Sequence, residues 1–169
     1  PTRSLMLWVY QGDNQSVPAL KDLRVRQALN YAINRQELIQ IVKAGFGIPG
    51  QGMVHPGFKD YFNPSLNPYP PEGNLTKARA LLKESGYENV QLELHSATLY
   101  SDYDKIAIVL KEQLEKAGFK IDLKLTEFST LGLRLLKKEP FELGITALNT
   151  YTLTRALMDP LHSKNTAMF

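Results

Sequence analysis

Strand-like and helix-like patterns alternate through the second half of the sequence, and this alternation limits the fold more than any other feature. Val90–Ser96 and Phe119–Phe128 alternate apolar with polar residues, as strands with one buried face do. Asp102–Gly118 has apolar residues at helical spacing, Thr130–Lys138 predicts a short helix, and Phe141–Leu148 predicts a third strand. The order β-α-β-α-β predicts an α/β fold with parallel strands and right-handed crossovers.

The first part of the sequence predicts one strand and two successive helices. Ser4–Tyr10 is a continuous apolar and aromatic run, typical of a buried strand. Between Val25 and Ile33 the apolar residues recur at helical spacing, and Asp22 is suited to cap the start of that helix. Asn34 followed by Glu37 resembles a capping box, which predicts that a second helix begins at this junction.

Helix ends and a long loop follow from glycine, proline and asparagine. Gly45 is predicted to end the second helix, and a third helix is predicted from a cap at Asn74 or Thr76 to Gly86. The sequence between Gly45 and Gly73 is too rich in these residues for a helix of normal length. Its aromatic residues predict an ordered, irregular loop that lies across the domain.

Composition excludes several kinds of site. The 169 residues suit one domain, and with no cysteine the chain has no disulfide and no thiolate metal site. No apolar run approaches the roughly 20 residues of a membrane span. His55, His95 and His162 are far apart in sequence, so no metal site and no cofactor are predicted. A net charge of +3 without a run of like charges or an aromatic-basic motif gives only a weak nucleic-acid signal, and the densest basic cluster, Arg134, Lys137 and Lys138, favours a solvated helix face.

Candidate binding residues follow the strands of the predicted sheet. Ligands of open α/β sheets bind beyond the carboxyl ends of the strands, close to helix N-termini. The segments at that edge offer hydroxyl groups, an amide, a carboxylate and tyrosines, but they contain no nucleophile paired with a base. These segments therefore predict a hydrogen-bonding surface with aromatic groups, and no enzyme activity. The candidate ligand-binding residues are Ser96, Thr98, Tyr100, Glu127, Leu148, Asn149, Thr150 and Tyr151.

An ordered set of segments resembles one family. "LKDLRVRQALNYAINRQELIQ", "KARALLKESGY", "IAIVLKEQLEKAGFKIDLKLTEFSTL", "FELGITAL" and "DPLHSKN" resemble, in this order, segments of the family 5 extracellular solute-binding proteins, the peptide- and nickel-binding components of ABC importers. The resemblance implies a periplasmic-binding-protein type II fold, in which two lobes close on a solute. Residues 1–169 are then expected to form a single α/β lobe, a fragment that covers most of the C-terminal lobe.

The same resemblance implies the function and its setting. The chain is expected to belong to a component that captures a peptide or another small polar solute and delivers it to ABC permease subunits. Its location would be the periplasm or the extracellular face of the bacterial membrane. Arg24 and Arg26 are expected to be scaffold residues of this lobe. The alternative is a solute-sensing domain of a regulatory protein that reuses the lobe.

Two departures from the family pattern bear on the solute. Peptide-binding members have a Trp-x-x-Asp pattern after the third strand, where this sequence has Leu148–Tyr151. Dipeptide binders can carry an arginine after the first strand of the βαβ unit, where this sequence reads "SATLYSDY". Both charged anchors are absent from these segments. A zwitterionic dipeptide is therefore disfavoured, while a longer peptide held through its backbone, or another polar solute, remains open.

Overall fold

The computed structural model describes residues 2–11, 15–50, 54, 58–63, 65–66, 69–98, 101–136 and 141–150. The strands are β1 (Thr2–Val9), β2 (Gln91–Ala97), β3 (Lys120–Thr126) and β4 (Leu143–Thr150). The helices are α1 (Leu23–Ala32), α2 (Arg35–Lys43), α3 (Leu75–Ser85), α4 (Ser101–Ala117) and α5 (Phe128–Leu136), and a 3₁₀ turn (Pro18–Lys21) precedes α1. Every element predicted from the sequence is present in the predicted order.

The strands form one sheet in the order β1-β4-β2-β3. Strand β2 pairs in parallel with β3 on one side and with β4 on the other, which confirms the predicted parallel core. Strand β1 runs antiparallel to β4, from Thr2 opposite Thr150 to Val9 opposite Leu143. Among the described strands, the first thus lies beside the last.

The two crossovers lie on opposite faces of the sheet. The chain moves from β2 to its neighbour β3 through α4, and then returns past β2 to β4 through α5. Crossovers between parallel strands are right-handed as a rule, and these two travel in opposite directions, so they are expected to cover opposite faces. The packing agrees with this, because Ala97 faces away from Leu92 and Leu94 of the main core, and Leu131 of α5 packs with it in a separate small cluster.

The main core lies between the sheet and helices α1, α3 and α4. Leucines from all layers are almost fully buried, and each contributes roughly 1.5–3 kcal/mol by leaving water. They are Leu29 in α1, Leu92 and Leu94 in β2, Leu114 in α4 and Leu143 in β4. The apolar face predicted for α1 is the buried face, with Val25, Ala28, Leu29 and Ala32 inside.

The junction between α1 and α2 is held by a residue distant in sequence. Asn34 caps α2 by accepting the Glu37 N–H at 2.9 Å, as predicted. In a full capping box the Glu37 side chain would also accept the Asn34 N–H, but here Gln113 of α4 takes that place. The Glu37 carboxylate accepts a bond from the Gln113 side chain of α4 at 2.7 Å, and the Gln113 oxygen accepts the Asn34 N–H at 3.1 Å. Gln113 is 4% exposed, so this polar link is buried in the packing of α2 on α4.

Both arginines at the start of α1 bind the scaffold. Arg24 donates to both oxygens of the Asp22 carboxylate and to the Glu84 carbonyl at the end of α3. Arg26 donates to the carbonyls of Leu20 and Lys21. These bonds connect α1 with α3 and with the preceding turn, in agreement with the expected structural role.

Helix α2 ends one residue earlier than predicted. Ala44, not Gly45, is the C-cap, with a left-handed φ of 49°, and Gly45 follows at 85°. Gly86 ends α3 with a φ of 77°, as predicted, and Asn74 caps its start. Gly73 has a φ of 73°, and a Cβ there would lie 3.0 Å from the Tyr31 carbonyl oxygen. Only glycine fits this close approach between α3 and the end of α1.

The strand boundaries differ from the prediction at both ends of the chain. Strand β4 was predicted at Phe141–Leu148 but spans Leu143–Thr150, and β1 was predicted at Ser4–Tyr10 but spans Thr2–Val9. Both shifts have one cause. The two strands pair over their whole lengths, so each extends as far as its partner does. In the described parts of residues 44–74 there is no helix or strand, as predicted.

No helix in the described part of the chain is long and apolar enough to cross a membrane.

Replacing Gln113 by alanine is expected to destabilise the chain by about 1–3 kcal/mol, because Asn34 and Glu37 lose their buried partner. Gln36→Ala, at an exposed position of α2, is the matched control and is expected to remain close to wild type. Urea unfolding of the purified variants measures the difference. Equal stability of the two variants would contradict the proposed importance of the buried link.

The Asp22 cap predicts a stability loss in acid. Hydrogen bonds from Arg24 lower the pKa of Asp22 from 3.8 to about 2. The folded chain therefore binds fewer protons than the unfolded chain between these values, and stability falls as pH drops through that window. Asp22→Asn keeps a capping side chain without the charge, so it is expected to lose less stability than wild type in this window. Arg24→Ala is expected to flatten the profile as well. Urea unfolding at several pH values measures the free energy of unfolding of each variant. If it fell equally with pH in wild type and in both variants, the assignment to Asp22 would be contradicted.

Candidate functional site

The carboxyl ends of β2 and β3 form a well-defined edge of the sheet. Strand β2 ends at Ala97, opposite Thr126 at the end of β3, and the Thr98 N–H donates to the Thr126 carbonyl at 3.0 Å. Helices α4 and α5 both begin within a few residues of this edge, at Ser101 and Phe128. Strand ends and helix N-termini therefore meet in one place, the usual ligand position in open α/β sheets.

Beneath this edge lies a packed floor. Ser96 has no exposed surface, and its hydroxyl donates to the Tyr103 carbonyl at 3.4 Å. Ala97, Tyr103 and Leu131 form the small hydrophobic cluster that joins the end of β2 to the starts of α4 and α5. Ser96 thus supports the edge from inside, whereas a solute would contact groups above it.

Thr98 and Glu127 are the predicted site residues that reach solvent at this edge. Both are exposed, and they follow β2 and β3 respectively. Glu127 also starts α5, since its carbonyl accepts the Leu131 N–H at 3.0 Å, and an acidic side chain is favourable at a helix N-terminus. Tyr100 and Tyr151 lie outside the described residues.

The remaining predicted residues lie on a strand, not in a loop after it. Leu148, Asn149 and Thr150 belong to β4 and pair with Ser4, Arg3 and Thr2 of β1. Ser96 pairs with Ile145, so β4 continues four residues beyond the level of Ala97. At about 3.3 Å per residue, the β1–β4 pair projects about 13 Å past the ends of β2 and β3. We call this pair the projecting ribbon.

The acidic groups near this edge have local roles. Asp102, in the first turn of α4, forms an ion pair with Lys43 at the end of α2. Among the described residues, no three His, Cys, Asp or Glu side chains are grouped so that they could hold a metal ion. The edge therefore offers the exposed Glu127 carboxylate together with hydroxyl, amide and backbone groups for hydrogen bonding.

A different set of charged residues occupies the opposite edge, where the strands begin. An open depression of about 430 Å³ is lined there by Gln91, Glu115, Phe119, Lys120, Ile121 and Asp122. Burial raises the pKa of the Glu142 carboxyl, which accepts the Glu93 N–H. Lys124 pairs with Asp122 at 2.6 Å. Ligands of open α/β sheets bind at the carboxyl ends of the strands, so this depression is not the candidate site.

Comparison with known proteins identifies the family. The family model described as bacterial extracellular solute-binding proteins, family 5 Middle, matches residues 3–167. The chain belongs to this family. The glutathione-binding protein GsiB of Shigella flexneri serotype 5b is 39% identical over 98 residues, which cover 57% of this chain and 19% of that protein. The chain thus matches about a fifth of the length of this curated relative.

Solved structures of family members share the fold. A putative peptide-binding protein AppA from Clostridium difficile superposes with a TM-score of 0.78 at 20% identity, over 96% of this chain and 36% of that one. The oligopeptide-binding protein AppA from Bacillus subtilis, in complex with a nonapeptide, superposes with a TM-score of 0.75 at 22% identity, over 96% and 36%. The predicted periplasmic-binding-protein type II fold is confirmed.

Tyr103 is the residue of this edge that the sequence analysis missed. It is 4% exposed and joins α4 to the floor of the edge. Its spacing could have revealed it, because Tyr103, Ile106, Ala107 and Leu110 follow the helical offsets 0, 3, 4 and 7. Asp102 and Asp104, on either side of it, are instead typical of a helix start.

Replacing Leu131 by alanine is expected to destabilise the chain by about 2–4 kcal/mol, because it opens a cavity beneath the edge. Leu131 is 6% exposed, whereas Leu133 on the same helix is 54% exposed. Leu133→Ala is therefore the matched control, with an expected change of at most about 0.5 kcal/mol. Thermal or urea unfolding measures both, and a smaller loss for Leu131 than for Leu133 would show that α5 is not anchored on this floor.

Proposed function

We propose that the chain is a lobe of the substrate-binding component of an ABC importer, which captures an oligopeptide or a similar polar solute. The observation that carries this proposal is the family match over residues 3–167, together with a strand edge of the kind that binds ligands. Residues 1–169 form one α/β lobe in this proposal, and the solute lies between it and a second lobe.

The polar character of the edge supports a solute held by hydrogen bonds. Thr98 is exposed beside the ends of β2 and β3, and Asn149 lies on the projecting ribbon. Leu148–Tyr151 stands where peptide-binding members carry Trp-x-x-Asp, so this half supplies no acidic anchor there. An oligopeptide offers repeated backbone donors and acceptors, which hydroxyl and amide groups can bind without charged anchors.

The relatives agree with this choice of solute class. GsiB is named a glutathione-binding protein, and the AppA of Bacillus subtilis holds a nonapeptide. Both ligands contain peptide bonds. Because identity to the solved structures is low, the likeness to AppA supports the fold and the GsiB similarity carries more of the argument about the solute.

The mechanism is capture, closure and delivery. Solute enters at the carboxyl-end edge, and a second lobe then closes over it by a hinge motion. The projecting ribbon is suited to connect the lobes, since two antiparallel strands can bend together while their hydrogen bonds persist. The closed protein docks on permease subunits at the periplasmic or extracellular face of the bacterial membrane, and release there needs no covalent step.

Native mass spectrometry of the full-length protein, purified without denaturation, tests the proposal. We expect co-purified masses spaced by amino-acid residues. A single non-peptide mass would retain the binding role but contradict the peptide. A protein that stays free of ligand, even after incubation with trialanine, pentaalanine and glutathione, would contradict the proposed solute class.

A second experiment tests the site. Asn149→Ala and Tyr151→Phe, made in the full-length protein, are each expected to weaken binding of the co-purified solute about 3- to 10-fold, as loss of one hydrogen bond does. Thr76→Ala, at an exposed position of α3, is the control and should bind like wild type. Isothermal titration calorimetry measures the affinities, and unchanged affinity in both site variants would contradict the assignment.

A further inference from the structure

Helix α2 runs antiparallel along α4, and this determines where its last residue lies. At one end, Asn34 bonds with Gln113 in the second half of α4. At the other end, Lys43 pairs with Asp102 in the first turn of α4. Since α4 begins at the carboxyl ends of the strands, α2 ends at the same edge, beside the proposed solute site.

The chain leaves α2 at this edge with apolar side chains in water. Phe46 is 86% exposed, Ile48 is 67% exposed, and Ile41 in the last turns of α2 is 58% exposed. We call these three residues the rim patch. Ala44 and Gly45, both with positive φ, turn the chain sharply after the helix, and Lys43 fixes the turn to α4. The Lys43–Asp102 ion pair therefore holds the end of α2, from which the rim patch projects, against α4.

The charge of the segment indicates the chemistry of its partner. Residues 44–50 read AGFGIPG and carry no charged side chain. Lys43, the nearest cation, is neutralised by Asp102. Such a surface lacks the basic residues with which proteins bind anionic lipids or nucleic acids. Its natural partner is an apolar protein surface.

The position of the rim patch indicates which protein surface that is. This chain aligns with 36% of AppA from Clostridium difficile. About two-thirds of a family member of that length therefore has no counterpart in this chain. The projecting ribbon extends past the same edge of the sheet on which the rim patch stands. A lobe connected through the ribbon would face the rim patch across the solute.

We infer that the rim patch is the apolar contact on which the second lobe of the full-length protein closes. This inference rests on the proposed function and deepens it. The contact stabilises the closed form without touching the polar groups of the solute, so its contribution is the same for solutes of different sequence. The second lobe must present an apolar surface at the matching position.

Site-specific photo-crosslinking in the full-length protein tests the contact directly. Phe46 is replaced by p-benzoylphenylalanine, and Leu23 is replaced in the control. Leu23 is 59% exposed and starts α1 near the opposite edge, because Gln11, next to Tyr10 at the end of β1, donates to the Leu20 carbonyl just before α1. After irradiation with trialanine and pentaalanine present, peptide mapping should find intramolecular crosslinks from position 46 to residues outside 1–169, and none of these from position 23.

Other crosslinking patterns would overturn the inference. Crosslinks from position 46 only to residues within 1–169 would show that the patch packs on its own lobe. Crosslinks between two protein molecules would assign it to a dimer interface. Crosslinks to permease subunits in membrane preparations, without any to the second lobe, would assign it to transporter docking.

Binding measurements separate this inference from the proposed function. In the full-length protein, the double variant Phe46→Ser with Ile48→Ser is expected to bind the co-purified solute about 10-fold more weakly, while Leu23→Ser binds like wild type. Equal affinity of the double variant and wild type would contradict the inference. If wild type binds no solute, the proposed function fails, and the crosslinks still decide whether the two lobes meet at the rim patch.

Discussion

The handedness of the two crossovers is the constraint on which the rest of this lobe depends. Strand β2 has β3 on one side and β4 on the other, so right-handed connections must place α4 and α5 on opposite faces. Both helices then begin at the edge where β2 ends, and Tyr103 and Leu131 meet there over Ala97. A strand edge above a packed floor therefore follows from strand order and crossover handedness alone.

Long-range polar links decide how the outer layer is arranged. Gln113 and Asp102 lie on one helix and bind the two ends of another, which aligns α2 along α4. These bonds specify orientation as well as adding stability, because an amide buried at 4% exposure tolerates few alternative partners. The same alignment brings an uncharged, apolar turn to the edge that the polar groups occupy.

The sequence predicted those features that are decided locally. The caps at Asp22, Asn34 and Asn74 were identified because a capping side chain bonds to a backbone N–H only two or three residues away. Parallel pairing was identified because alternating strands and helices leave few other arrangements. The end of β4 was predicted two residues early, because its length depends on pairing with β1, more than a hundred residues earlier. Gln113 was missed for the same reason.

For the candidate site, the edge itself could be predicted from topology, whereas the burial of Ser96 and the exposure of Phe46 depend on packing that no local pattern contains.

The pairing of the first strand with the last also bears on the biosynthesis of the chain. Strand β1 is made before its partner β4, which begins at Leu143, 134 residues after Val9. At synthesis rates of about 5–20 residues per second, the apolar strand β1 waits roughly 7–30 s for its partner to emerge. During that interval its backbone donors and acceptors are open to any other extended chain. The sheet therefore carries a built-in delay, during which β1 must be kept apart from other extended chains.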